Sequence, residues 1–256
     1  MSEDLNNIVR DWDYDPQRVT ARWVRTKDGF VAVQLRVDLG LFQMQPSGRP
    51  DGQKPHGAPT LLQHYLVLEQ TLSAQDPALR LDERACGALQ QEAMQFYYRY
   101  IAYFALREFD CVIRDTNHNL KIIQYAIRHA PEELRRVFLP FYPYVRMMNA
   151  RARAEKATTA QRFDEALLAL ETARADIEMF CAEHELADLP VAAPALATLL
   201  ELIEQISKRR PRSPTERLRE ELDRAVAVEN YERAALLRDQ LSALTAAHQP
   251  HSGATN

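Results

Sequence analysis

Five of the seven glycines, Gly29, Gly40, Gly48, Gly52 and Gly57, fall between residues 29 and 57. Beyond that stretch only Gly87 and Gly253 remain, so the rest of the chain nearly lacks the residue that, proline aside, most weakens a helix. This asymmetry predicts a short β or irregular front end and a long helical body.

The front end carries strand periodicity. RVTARWV sets Val19, Ala21 and Trp23 on one face, and VAVQLRVDL does the same with Val31, Val33, Leu35, Val37 and Leu39. Asp28-Gly29 between them tolerates the positive φ of a tight turn. Residues 17–25 and 30–39 are therefore expected as an antiparallel hairpin. Its apolar face must rest on the helices or on a second copy, because a lone two-stranded ribbon is marginal in water. GLFQMQPSGRPDGQKPHGAPT then reads as a long loop, stiffened by Pro46, Pro50, Pro55 and Pro59. Arg49, Asp51, Lys54 and His56 read as charges on a solvated connector, with an anion or peptide contact as the alternative.

From Thr60 the period becomes that of helices. Thr60 and Gln63 have capping-box spacing. A long helix is expected over 82–107, with Leu89, Ala93, Phe96, Tyr97, Tyr100 and Phe104 as its stripe; further helices are expected near 108–129, 132–138, 142–158, 162–185 and 194–209. The aromatics of FYYRYIAYF go round more than one face, as in a helix buried on two sides or one lining an aromatic groove. REFDCVI around Phe109 and QRFDEAL around Phe163 echo each other at a separation of 54 residues, longer than a tetratricopeptide unit of about 34. The segment loosely resembles tetratricopeptide-like stacking without the full signature, and an irregular helical array is expected.

Composition excludes several classes. A net charge of −4 gives no general attraction to nucleic acid or anionic membrane. No segment approaches the roughly 20 apolar residues of a membrane-spanning helix, and the acidic opening is not a secretory signal. Cys86, Cys111 and Cys181 lie far apart with no C-x-x-C pair and read as core filler in the cytoplasm. DWDYDP fails as a calcium loop because Pro16 stands where the glycine belongs; DTNHN fails with Leu120 there, and both read as surface or capping segments. With no H-E-x-x-H pair, no G-x-S-x-G elbow and no phosphate-cradling G-x-x-x-x-G-K-[ST] loop, the expectation is a protein without catalytic, cofactor or metal site.

After KRRPRSP, the run Ser213-Pro214-Thr215-Glu216 starts a helix with cap, first-turn proline and capping-box glutamate. Leu218, Leu222, Ala225 and Val226 line one face. Asn230 suits a tight turn or a cap, and the next helix presents Tyr231, Ala234, Ala235, Leu241 and Leu244. With Glu229, Glu232, Arg238 and Asp239, these positions closely resemble the UVR motif, the helical hairpin of the UvrB and UvrC excision-repair proteins. The resemblance implies a hairpin that joins protein to protein, often to a like hairpin. The order of VDLGLFQM, GRPDGQKPHG, helices and a terminal motif is also similar to uncharacterised bacterial UVR-motif proteins.

The expected protein is mainly α: an N-terminal β-hairpin on an irregular TPR-like helical array, followed by a C-terminal antiparallel helical hairpin. The divisions expected are 1–57, 58–210, 211–247 and a disordered tail at 248–256. Leu218, Leu222, Ala225, Tyr231, Ala234, Ala235, Arg238, Leu241 and Leu244 are the expected protein-binding residues of an adaptor or scaffold. The expected partner is a UVR-like hairpin or a second copy. A nucleic-acid role resting on the KRRPR run, and a small-molecule or peptide groove on the helical body, are the alternatives; no membrane partner is expected.

Overall fold

The computed structural model describes residues 5–72, 79–186, 190–211 and 214–247, apart from the side chains of residues 6, 214, 216 and 243–247. A short helix, α1 (Asn6–Val9), precedes three antiparallel strands in the order β1 (Ala21–Arg25), β2 (Val31–Val37) and β3 (Gly40–Met44). β1 and β2 form the expected hairpin, with Trp23 opposite Val33 and Gly29 at φ +83° in the turn. β3 corrects the loop expectation. A two-residue turn carries the chain from Val37 to Gly40, which are paired across the ladder. Leu39 falls in that turn and is 92% exposed instead of sharing the apolar face.

Both faces of β2 are covered, because Ala32 and Gln34 are buried as well as Val33 and Leu35. Trp23, beside Val33, meets Tyr103 of the helical body at 5.7 Å between ring centroids. On the opposite face Arg22 donates to Gln34, which donates to Gln43. The Arg22 guanidinium lies 4.2 Å from the Trp12 ring centroid, and Arg36 Nε donates to the Trp12 carbonyl. The N-terminal segment thus lies over that polar ladder. A Cβ on Gly40 would stand 2.9 Å from Cδ2 of Leu5, whose side chain would have to shift to admit it.

The body consists of α2 (Leu61–Thr71), α3 (Glu83–Ala105), α4 (Phe109–His129), α5 (Glu132–Arg135), α6 (Tyr142–Thr159), α7 (Phe163–Glu183) and α8 (Ala193–Arg209). α3 packs on α4, α4 on α6 and α6 on α7. Between α5 and α6 the chain makes a 3-10 turn at Leu139–Phe141, so the helix expected over 132–138 is shorter. The core runs through the array from Leu89, Tyr100 and Ile122 to Leu170, Ile177 and Leu199, all fully buried. The echo around Phe109 and Phe163 is a repeated corner. Arg107 and Gln161 adopt left-handed backbone, at φ 61° and 59°. Glu108 N–H then bonds the Tyr103 carbonyl and Arg162 N–H the Ala157 carbonyl, a six-to-one closure that satisfies an orphan carbonyl at each helix end. The aromatic that follows goes inward: Phe163 is buried and Phe109 meets Phe104 edge-on.

The Gly/Pro segment is tied to the helical body around residues 45–49, while Asp51, Lys54 and His56 are exposed as expected of a solvated connector. Arg99, fully buried, makes a bidentate pair with Asp115 at 2.6 and 2.9 Å and donates to the carbonyls of Gln45 and Gly48. Tyr103 donates to the Pro46 carbonyl. Arg49 lies 3.2 Å from Asp51 and 3.9 Å from buried Glu92. The expectation that Asp115-Thr116-Asn117-His118-Asn119 is a surface or capping segment is overturned. These residues sit inside α4, with Asp115, Thr116 and Asn119 buried. Asp115 neutralises Arg99, and Asn119 donates to the Ala93 carbonyl. Thr60 caps α2 as expected, accepting from Gln63 N–H. Glu92, reaching across from α3, accepts from the first two N–H groups of α2, those of Leu61 and Leu62.

The chain divides into two compact units, residues 1–208 and 209–256. Among the described residues no helix is long and apolar enough to cross a membrane.

Candidate functional site

The second unit is a pair of helices, α9 (Pro214–Ala227) and α10 (Tyr231–Ala247), packed together as a hairpin. Its corner repeats those of the body. Glu229 is left-handed at φ 58°, and Asn230 N–H closes onto the Ala225 carbonyl at 2.8 Å. Glu229 thus takes the special backbone angle, while Asn230 is the cap: its Oδ1 accepts from Arg233 N–H at 3.1 Å. The expected cap Ser213, the side chain of Glu216 and the tail at 248–256 lie outside the described residues.

Ala225, Ala234 and Leu237 form the hairpin's own core, with Leu218 and Leu222 packed against it. The alanines let the two helices approach closely, and Leu237, 1% exposed, fills the space beside them. Sequence reasoning named the alanines and missed this leucine. The signal was present, since Leu237 falls three residues after Ala234 and four before Leu241 on the same helical face. The expected protein-binding residues therefore separate. Leu218, Leu222, Ala225 and Ala234 belong to the seam, with Leu241 half-buried; Tyr231, Ala235 and Arg238 are exposed. The side chain of Leu244 lies outside the described residues.

The two flanks of the seam differ. Arg233 of α10 reaches Glu221 of α9 at 3.2 Å, so an ion pair bridges the helices on one side. At 100° per residue, Val226 lies on the flank of α9 opposite Glu221, and Tyr231, Ala235 and Arg238 lie on the flank of α10 opposite Arg233. That second flank presents two exposed apolar side chains, Val226 at 51% and Tyr231 at 67%, beside the exposed Arg238. Tyr231 occupies the corner position that Phe109 and Phe163 fill in the body, where both aromatics go inward. The same local sequence leaves its ring covered there and uncovered here.

The other residues singled out from sequence are dispersed. Within FYYRYIAYF, Phe96, Tyr100 and Tyr103 are buried and Tyr97, Tyr98 and Phe104 partly so, making the aromatic run chiefly core. A groove of about 360 Å³ does lie where this helix meets β3 and the Gly/Pro segment, lined by Phe42, Met94 and Tyr98. Of the basic run, Lys208 pairs with Glu204; Arg212 lies outside the described residues. His118, expected as an ordinary helix residue, stacks on Phe96 and contacts Glu92 at 3.1 Å. Burial opposes charge on Glu92, but the hydrogen bonds from His118, Leu61 and Leu62 together hold its pKa below the usual carboxylate value.

Comparison with known proteins touches this hairpin alone. No curated protein and no solved structure matches the chain. Residues 213–246 match the family model of the UvrB/uvrC motif. The C-terminal helical pair is thus a UVR motif, and the match extends no further into the chain.

Proposed function

We propose that this protein is a non-enzymatic adaptor, which captures another protein through its C-terminal hairpin while the sheet and helical array form a separate folded body. On this reading residues 1–57, 58–210 and 211–247 are its functional divisions, and it works in a reducing bacterial cytoplasm where its cysteines stay thiols. The observation that carries the proposal is the pair of exposed apolar side chains, Val226 and Tyr231, on one flank of a UVR motif. Leu218, Leu222, Ala225, Ala234 and Leu241 serve by holding the helices in register. Tyr231, Ala235 and Arg238, with Val226, make the contact. A like hairpin suits this flank, because a helix can lay small and apolar side chains into the groove between α9 and α10.

An aromatic anchor at an interface centre contributes about 2 kcal/mol or more, so losing Tyr231 together with its apolar neighbour Val226 weakens capture by at least about thirtyfold. Affinity purification from the source cells of the intact chain and of Val226→Ser/Tyr231→Ser, followed by mass spectrometry, tests this. The double variant keeps the seam and the Glu221–Arg233 pair, so it stays helical while its partner is lost. An unchanged partner list rejects the proposal. Recovery of the chain itself identifies a second copy as the partner. A salt-sensitive mobility shift with DNA at low salt would establish the nucleic-acid alternative instead.

A further inference from the structure

β3 is an edge of the sheet, and the register of its neighbours fixes which of its backbone groups are free. Arg36 N–H donates to the Thr20 carbonyl and Thr26 N–H to the Phe30 carbonyl, at the two ends of the β1–β2 pairing. The even-numbered residues of β2 therefore bond to β1. Val33, Leu35 and Val37 bond on the other side, to Met44, Phe42 and Gly40 of β3. Leu41 and Gln43 are left with their N–H and C=O groups turned away from β2. The next residue in that row, Gln45, is already closed: its N–H donates to the Pro50 carbonyl and its carbonyl accepts from Arg99. Among the described residues no donor or acceptor meets the backbone of Leu41 or Gln43.

The two edges of the sheet are guarded differently. β1 carries Arg22 and Arg25, and charges on an edge strand discourage pairing with another chain. β3, with the sequence GLFQM, carries neither charge nor proline. The groove of about 360 Å³ between this strand and α3 runs beside it, and Phe42 and Met94 in its wall are each more than a third exposed. A cavity of about 150 Å³ holds benzene, so the groove has room for a further phenyl ring.

We propose that β3 pairs antiparallel with β3 of a second copy, about a two-fold axis at Phe42, joining the two three-stranded sheets into one. The free groups select both the occupant and the register. With Phe42 opposite Phe42, Leu41 faces Gln43 of the second copy, and each free N–H of either strand meets a free carbonyl of the other. An axis at Leu41 would set Gln43 against Leu39 in the turn, and an axis at Gln43 would set Leu41 against the closed Gln45. A foreign strand of ordinary length, about five or six residues, would run past the two free residues and leave groups of its own unpaired. The second copy offers the same two residues and none over. Phe42 then stands in a pair without backbone hydrogen bonds, where facing side chains come closest, and its ring enters the other copy's groove beside Met94. The interface lies wholly within residues 1–208 and does not rest on the hairpin.

Sedimentation equilibrium on the full-length chain, taken to about 1 mM, covers weak association and should show the mass rising to that of two chains. Val226→Ser/Tyr231→Ser, altered only on the hairpin flank, should reach the same mass. Leu41→Pro removes a free N–H and none that bonds β2, so it should keep the fold and weaken association at least about tenfold. In the unaltered chain, amide exchange at Leu41 and Gln43 followed by NMR should slow at least about tenfold from dilute to concentrated samples. That measurement decides even where Leu41→Pro fails to fold. A chain that stays monomeric, a dimer lost in the hairpin variant, association unweakened in a folded Leu41→Pro, or exchange at Leu41 and Gln43 independent of concentration each overturns the proposal.

Discussion

Glu92 is a carboxylate in the middle of a helix with none of its surface exposed. What keeps it charged is its partners: two N–H groups at the start of α2 and the His118 ring. Because these hold its folded-state pKa below the ordinary 4.5, its stabilising effect is complete above that pH and disappears as pH falls through the folded value. Glu92→Gln keeps the shape but turns a donor towards a donor. It should cost about 2–3 kcal/mol at pH 7 by urea denaturation, with the gap to the parent protein narrowing on acidification. A gap independent of pH would show that the charge does not matter. None of this was legible in the sequence. Glu92, Arg99 and Asp115 sit at helical positions where charged residues are ordinarily solvated, and Arg99 reaches carbonyls 51 and 54 residues away. Arg99 within a run of aromatics was the visible hint, since a lone cation amid apolar neighbours requires a buried counter-charge.

Elements were more readable, because helical periodicity and proline positions are local properties. The long helices fall within a residue or two of their expected limits. β3 was missed because Gly40–Met44 is short and flanked by turn residues, so only its pairing to β2 reveals it as a strand. The echo at Phe109 and Phe163 was legible as a pattern; its meaning as a left-handed corner was not, because Arg107, Gln161 and Glu229 are residues that rarely adopt positive φ. That backbone conformation costs roughly 1 kcal/mol for a residue with a Cβ, and glycine avoids it while losing some of the gain to its freer unfolded chain. Gln161→Gly should therefore stabilise the body by about 0.5 kcal/mol, read as a higher urea midpoint at unchanged slope. Gln161→Val, β-branched at the same angle, should lower the midpoint. If both variants destabilise equally, the left-handed corner is not what limits this turn.

At the scale of the whole molecule, the two units differ in how much they bury. The body's core spans the sheet and most of its helices, whereas the hairpin's rests on two alanines and one leucine, with Leu218 and Leu222 at its edge. The motif register that identified the hairpin was plain in the sequence. The division between seam and outer flank was not, because Tyr231 looks as apolar as Leu237 until the crossing of the helices decides which turns inward. So small a core cannot match the stability of the body, and a hairpin of this size is marginal without further cover. Hydrogen exchange followed by mass spectrometry on the full chain should show two tiers, with amides of α9 and α10 at least about a hundredfold less protected than those of α3, α4 and α6. A protein bound to the Val226–Tyr231 flank raises protection in the hairpin by an amount set by its concentration relative to Kd. Val226→Ser/Tyr231→Ser should abolish that rise and leave the unbound baseline within about threefold of the parent, because neither side chain belongs to the seam. Protection of α9 and α10 equal to that of the body, with no partner present, would mean that the chain unfolds as one cooperative unit and that the hairpin has no stability left for a partner to supply.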